Sequence, residues 1–194
     1  MRLAWTMGVA FFMGFQATAW AQQDAPVREG TAEPPLESVI NHFFPGYAPV
    51  PLGELTDEIG SLTVSDPVYD TPDRSPVTIK ADFDGNGFAD YALLISKVQG
   101  SQADEIFVIL MGHGEGRFGK AIESFFGRVA RDIYLGYLPA GTVLGTLEDA
   151  GNNAPPMTLA SPAVTLNIPG QVSDAFYWDS LSGHFVSTAA PTVR

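Results

Sequence analysis

Hydrophobic and polar positions along the chain change period once, near Pro76. Before it, Leu36, Val39, Ile40, Phe43 and Phe44 fall at i, i+3, i+4, i+7 and i+8. That spacing makes one apolar stripe on a short helix over residues 36–44. Pro35 suits its first turn, Glu37 suits the positive end of its dipole, and Pro45-Gly46 stops it. The stripe predicts a helix packed on the domain's own sheet rather than on a partner. Residues 47–75 are rich in Pro, Gly and Asp, and Leu52, Leu55, Ile59 and Leu62 support a short helical turn or irregular packing there.

After Pro76 the period becomes two. Val77, Ile79 and Ala81 alternate with Thr78 and Lys80, as in a strand with one buried face. Residues 90–97 and 106–111 are apolar on both faces, the pattern of interior strands. Gly112-His113-Gly114-Glu115-Gly116 is a turn from which residues 117–124 can return, with a helical turn conceivable around residues 123–129. Ile133, Leu135 and Tyr137 alternate, as do Val164, Leu166 and Ile168, and Phe176-Tyr177-Trp178 turns through residues 179–183 into His184-Phe185-Val186. Short strands separated by Gly-rich turns predict a mainly β fold: one antiparallel, meander or sandwich-like domain over residues 36–194 with a short N-terminal helix. An α+β arrangement is the alternative.

The first 35 residues belong to neither pattern. Arg2 precedes a 13-residue apolar run, Leu3 to Phe15, and Ala19-Trp20-Ala21 closes the segment. A basic start, a short apolar middle and an A-x-A exit are the parts of a secretory signal peptide, here residues 1–21. Thirteen helical residues span roughly 20 Å, short of the ~30 Å hydrocarbon core, so a cleaved leader is expected rather than a membrane anchor. No transmembrane segment is expected after cleavage. Residues 22–35, with three Pro, one Val and no aromatic, read as a disordered linker. The expected address is periplasmic or secreted, in a bacterium.

Composition narrows the function classes. The chain has 194 residues, 10 Lys plus Arg, 22 Asp plus Glu, a formal charge of −12 and no Cys. A chain this acidic is a poor partner for nucleic acid, whose phosphates require cationic side chains. Without Cys there is no disulfide framework, thiolate metal site or Cys nucleophile.

Chemistry concentrates in one place. Asp82-Phe83-Asp84-Gly85-Asn86-Gly87-Phe88-Ala89-Asp90 puts oxygen-bearing side chains at positions 1, 3, 5 and 9 and glycines at 4 and 6. Ca²⁺ takes six to eight oxygens at ~2.3–2.6 Å, and a tight loop supplies them by turning alternate side chains inward. The glycines permit the left-handed backbone that such a wrap needs. The expected ligands are Asp82, Asp84, Asn86, Asp90 and the backbone carbonyl of Phe88, with a structural Ca²⁺ as cofactor. A metal-free Asp/Gly hairpin turn is the plain alternative.

Position 12 of this loop is Leu93, not the bidentate Glu of a helix-loop-helix calcium hand. The strand-loop-strand setting and Asp90 at position 9 resemble the D-x-D-G-D/N-G-x-x-D calcium hairpin of FG-GAP and VCBS repeats. Asp82, Asp84, Asn86, Asp90, Gly85 and Gly87 carry that resemblance, over about 20 residues and in a single copy. A propeller needs several blades, so the chain cannot close one alone. The overall layout is similar to single-copy exported bacterial proteins, which implies a site and a compartment rather than an activity.

Other signals are weaker. No G-x-S-x-G elbow, H-E-x-x-H helix or phosphate-binding Gly loop occurs, and His42, His113 and His184 share no ligand spacing. No catalytic residue is assigned. Asp82 and Asp84 as an acid/base pair fit less well than as cation ligands, because a held cation keeps both ionised. Phe176, Tyr177, Trp178 and Phe185 read as core, with the outward-facing aromatics as interface candidates. The leading expectation is a non-enzymatic exported β protein acting as a structural or interaction module. The alternatives are a periplasmic inhibitor or a glycan- or cell-envelope-binding protein, its partner a protein or glycan of the envelope, and a calcium-dependent hydrolase.

Overall fold

The computed structural model describes residues 33–99, 102–126, 131–145, 156–171 and 173–190. The expected signal peptide and residues 22–32 of the expected linker lie outside the described residues.

Helix α1 spans Leu36–Phe43 with Pro35 at its N-cap, and its last turn closes through Phe44 N–H donating to the Ile40 carbonyl at 2.7 Å. Its stripe docks as expected: Val39, Ile40 and Phe44 are buried against Tyr91, Leu93, Ile95, Ile106, Val108 and Leu110. Each such side chain removed from water contributes ~1.5–3 kcal/mol before entropic losses.

Those sheet residues belong to β4 (Asp90–Gln99) and β5 (Gln102–Gly112), the two strands expected to be interior. They pair antiparallel at the centre of a six-stranded sheet, with β3 (Thr78–Ala81) and β2 (Arg74–Ser75) on one side and β6 (Phe118–Phe125) on the other. A two-residue strand β1 (Ala48–Pro49) joins β4 beyond the end of β3. Alternate residues of β4 and β5 face away from α1: Ala92, Leu94, Phe107, Ile109 and Met111 pack with Val77, Ile79 and Phe83.

The second half of the chain covers that face. β7 (Tyr134–Leu138), β10 (Ala163–Asn167), β11 (Ser173–Asp179) and β12 (His184–Ala190) form a four-stranded antiparallel sheet in the order β12-β11-β10-β7. Leu135, Tyr137 and Val164 are buried in the shared core, with Phe176, Trp178 and Phe185 packed against it. A two-stranded ribbon, β8 (Val143–Leu144) with β9 (Met157–Thr158), packs over the far side through Leu144, Leu159 and Tyr177. The result is layered: helix, six-stranded sheet, four-stranded sheet, ribbon.

The mainly β expectation holds. Two details differ. Residues 52–69, expected to be irregular or one short turn, hold a 3-10 turn at Leu52–Glu54, helix α2 at Asp57–Ser65 and a second 3-10 turn at Pro67–Tyr69. Thr56 caps α2, its Oγ1 accepting from Ile59 N–H, and Asp57 and Glu58 occupy the first turn. Residues 123–125, where a helical turn was conceivable, instead complete β6 by pairing with Ile106, Phe107 and Val108. Glu33, near the end of the expected linker, bonds to the sheet. The Glu33 carboxylate accepts from Lys80 Nζ at 2.6 Å and from Tyr91 Oη at 2.7 Å.

Candidate metal centre

The loop between β3 and β4 is built by alternation carried past the end of a strand. Ala81 ends β3, Asp82 turns out, Phe83 turns into the core, and Asp84 turns out again. Phe83 is fully buried and meets the Phe185 ring edge-on at 6.3 Å, so the second sheet anchors the loop from beneath. Gly85 and Gly87 then reverse the chain with φ of +75° and +87°, the left-handed region that glycine enters without penalty.

The reversal brings Asp82, Asp84 and Asp90 together. One carboxylate oxygen from each lies within 4.8 Å of the others, an arrangement that can hold a metal ion. The three differ in their remaining bonds. Asp90, fully buried, accepts from Phe83 N–H through Oδ2 and from Gly112 N–H through Oδ1, both at 2.7 Å. Asp82 accepts from Gly87 N–H through Oδ2 at 2.8 Å, while its buried Oδ1 has no hydrogen-bond partner among the described residues. Asp84 accepts from Asn86 N–H and from Asn86 Nδ2, each at 2.9 Å.

Burial raises the Asp90 carboxyl to about 8, against the two backbone N–H groups that lower it, with Asp84 and Asp82 adding repulsion. Burial also raises Asp84, and the neighbouring Asp82 adds to this against the Asn86 bonds. Three mutually close carboxylates cannot all ionise near neutrality without compensating positive charge. No Lys or Arg forms an ion pair with any of them among the described residues. A cation is the compensation that the donor set fits, and the partnerless Asp82 Oδ1 is the atom it would most directly satisfy.

The other two expected ligands stand differently. Asn86 reaches the cluster through its amide nitrogen, which donates to Asp84 Oδ2 and to the Gly112 carbonyl at 2.9 Å, while its Oδ1 accepts from Phe88 N–H at 2.7 Å. Ligation through Asn86 Oδ1 therefore requires the amide to rotate. Phe88 lays its ring against Gly114, where an added Cβ would come within 2.7 Å of two ring carbons.

Gly112 is the residue that motif reading missed. Its N–H serves Asp90, its carbonyl serves Asn86, and a Cβ there would stand 2.2 Å from the Ala89 carbonyl oxygen. The Gly112–Gly116 turn, read from sequence as a plain hairpin, is thus the wall against which the acidic loop is seated. The available signal was a glycine at the end of an apolar strand, too common to single out. Of the histidines, His113 carries its ring over Gly119, and His184 sits in the β11–β12 turn with Nδ1 3.2 Å from the Ser182 carbonyl. Trp178 packs on Phe185 and the inter-sheet core, in keeping with the core reading of this aromatic strand.

No family model, curated protein or solved structure matches the chain.

Proposed function

We propose that this chain is an exported β-rich protein whose Asp82–Asp90 hairpin binds one structural Ca²⁺, and that it acts as a structural or interaction module rather than an enzyme. The observation that carries the reading is the trio of Asp82, Asp84 and Asp90, each with a carboxylate oxygen within 4.8 Å of the others, together with a buried Asp82 Oδ1 that has no hydrogen-bond partner among the described residues. Oxygens within 4.8 Å of one another are close enough to share one divalent cation, and an all-oxygen donor set favours a hard ion such as Ca²⁺. The FG-GAP- and VCBS-like spacing supports the same ion, and the basic-apolar-small N-terminus supports export to the periplasm or exterior. Among the described residues no helix is long and apolar enough to cross a membrane.

In this role the ion pins the β3–β4 loop to the β5–β6 turn through Asp90, Asn86 and Gly112, a staple for a chain that has no Cys. A site filled at about ten times its Kd adds ~1.4 kcal/mol, which for a domain of this size raises Tm by about 3–6 °C. The test is a thermal melt in millimolar Ca²⁺, in equal Mg²⁺ and in chelator. Ca²⁺ should raise Tm above both others, and the paired change Asp82→Ala with Asp84→Ala should abolish the difference. A melt indifferent to millimolar Ca²⁺ would sink the reading.

A further inference from the structure

The sequence separates His42 from His113 by 71 positions, yet the fold brings both to one cleft of about 570 Å³ between α1 and the β5–β6 turn. That volume lies within the ~300–1,000 Å³ usual for small-ligand sites. Its walls are Val39 and Phe43 of α1, Phe118 of β6 and Pro34, and its rim carries His42, His113 and Arg117. Among the described residues no Asp or Glu lines it. In a chain with 22 acidic and only 10 basic side chains, a cleft lined by one guanidinium, two imidazoles and, among the described residues, no carboxylate departs sharply from the rest.

The rim is held by backbone geometry. His113 N–H donates to the Arg117 carbonyl at 2.9 Å and Arg117 N–H to the Gly114 carbonyl at 3.0 Å. Gly114, Glu115 and Gly116 have φ of +77°, +54° and +70°, so a glutamate sits in the left-handed region between two glycines. The guanidinium itself is free to turn: it is exposed, and its contact with Glu115 is long, at 3.6 Å. The His42 ring meets the Phe43 ring edge-on at 4.9 Å, placing an imidazole beside the apolar wall.

We infer that this cleft binds a small amphiphile with an anionic head, its apolar body between Val39, Phe43 and Phe118 and its head at Arg117 with the two imidazoles beside it. The head would be a carboxylate or an equivalent oxyanion, which a guanidinium receives through paired N–H donors. The cleft and the acidic loop both meet the β5–β6 turn, but no residue of the acidic loop lines the cleft, and the proposal does not require that loop to hold Ca²⁺.

The test is calorimetric titration of the purified protein with decanoate and with decyltrimethylammonium, which share a tail and differ in the sign of the head. Decanoate should bind and decyltrimethylammonium should not. Arg117→Gln should weaken decanoate about tenfold, the effect of losing one charge-assisted contact. Phe43→Ala should weaken it as well, and Lys97→Gln, on a cation that packs against Tyr47 outside the cleft, should leave it unchanged. If Phe43→Ala fails to fold, 1-anilinonaphthalene-8-sulfonate fluorescence with and without competing decanoate reads the same site in the native chain. Equal binding of both head groups, or no heat with decanoate up to about 1 mM, overturns the proposal. So does undiminished binding by Arg117→Gln, or binding to phosphatidylglycerol vesicles without binding to free decanoate, which would make the surface a membrane contact.

Discussion

Without a cation at the acidic loop, stability should fall as pH rises, and Asp90 is the reason. Its folded-state carboxyl is raised to about 8 by burial and by Asp84 and Asp82, against 3.8 for the free group. Between those two values the folded chain holds a proton that the unfolded chain has released. The unfolded state binds fewer protons, so stability falls as pH rises, by at most about 1.4 kcal/mol per unit for this group. From pH 5 to pH 7 that amounts to an upper bound of about 3 kcal/mol, or roughly 6–12 °C in Tm. The penalty is complete above about pH 8, where the slope flattens. A cation bound by Asp82, Asp84 and Asp90 favours the ionised forms and opposes this loss. The assay is urea unfolding followed by tryptophan fluorescence, at half-unit steps from pH 5 to pH 9, in chelator and in millimolar Ca²⁺. Stability in chelator should fall through pH 5–8, and the gap between the two curves should widen over the same interval. Parallel curves, or stability rising with pH in chelator, would refute the reasoning. The general repulsion of an acidic chain acts in both conditions, so it contributes to the common slope and not to the gap.

Three further outcomes follow from the same geometry. Gly112→Ala places a Cβ 2.2 Å from the Ala89 carbonyl and should destabilise by about 1–3 kcal/mol while weakening any Ca²⁺-induced rise in Tm; a wild-type urea midpoint would contradict the seat assigned to that turn. Phe83→Ala removes a fully buried ring beneath the loop and should lose about 3–5 kcal/mol, and a loss under ~1 kcal/mol would mean that the loop is not anchored from below. Glu33→Gln discards the charge partner of Lys80 but keeps an acceptor for Tyr91 Oη, so at this half-exposed position urea unfolding should register less than about 1 kcal/mol.

Several elements were legible because their causes are local. The α1 stripe, the alternation of β3 and the two-faced apolarity of β4 and β5 each follow from residues a few positions apart, and each element stands where expected. Helix α2 was not drawn because its apolar positions are sparse and Gly60 interrupts them. Its clues were the Thr56 cap and the acidic first turn, which are terminal signals and weak without a strong stripe behind them. Of the expected meander or sandwich-like forms, the chain takes two packed sheets because β4 and β5 are apolar on both sides. α1 has area to cover only one of those sides, and the four-stranded sheet covers the other.

The site divides in the same way. Alternation, the two loop glycines and three closely spaced Asp are properties of one nine-residue stretch, and sequence alone placed those carboxylates at a single turn. Tertiary structure decided everything that depends on distant partners. Gly112, 22 positions after Asp90, supplies the N–H that seats the loop. Burial raises Asp90, and the Asn86 amide presents nitrogen rather than oxygen to the cluster. His42 and His113, unrelated along the chain, meet across a cleft because α1 lies over β4 and β5 and the β5–β6 turn rises beside it. Residue types and spacing determine which groups a local segment can offer. Desolvation and hydrogen bonding across the fold determine which of those groups are charged, satisfied or left facing one another.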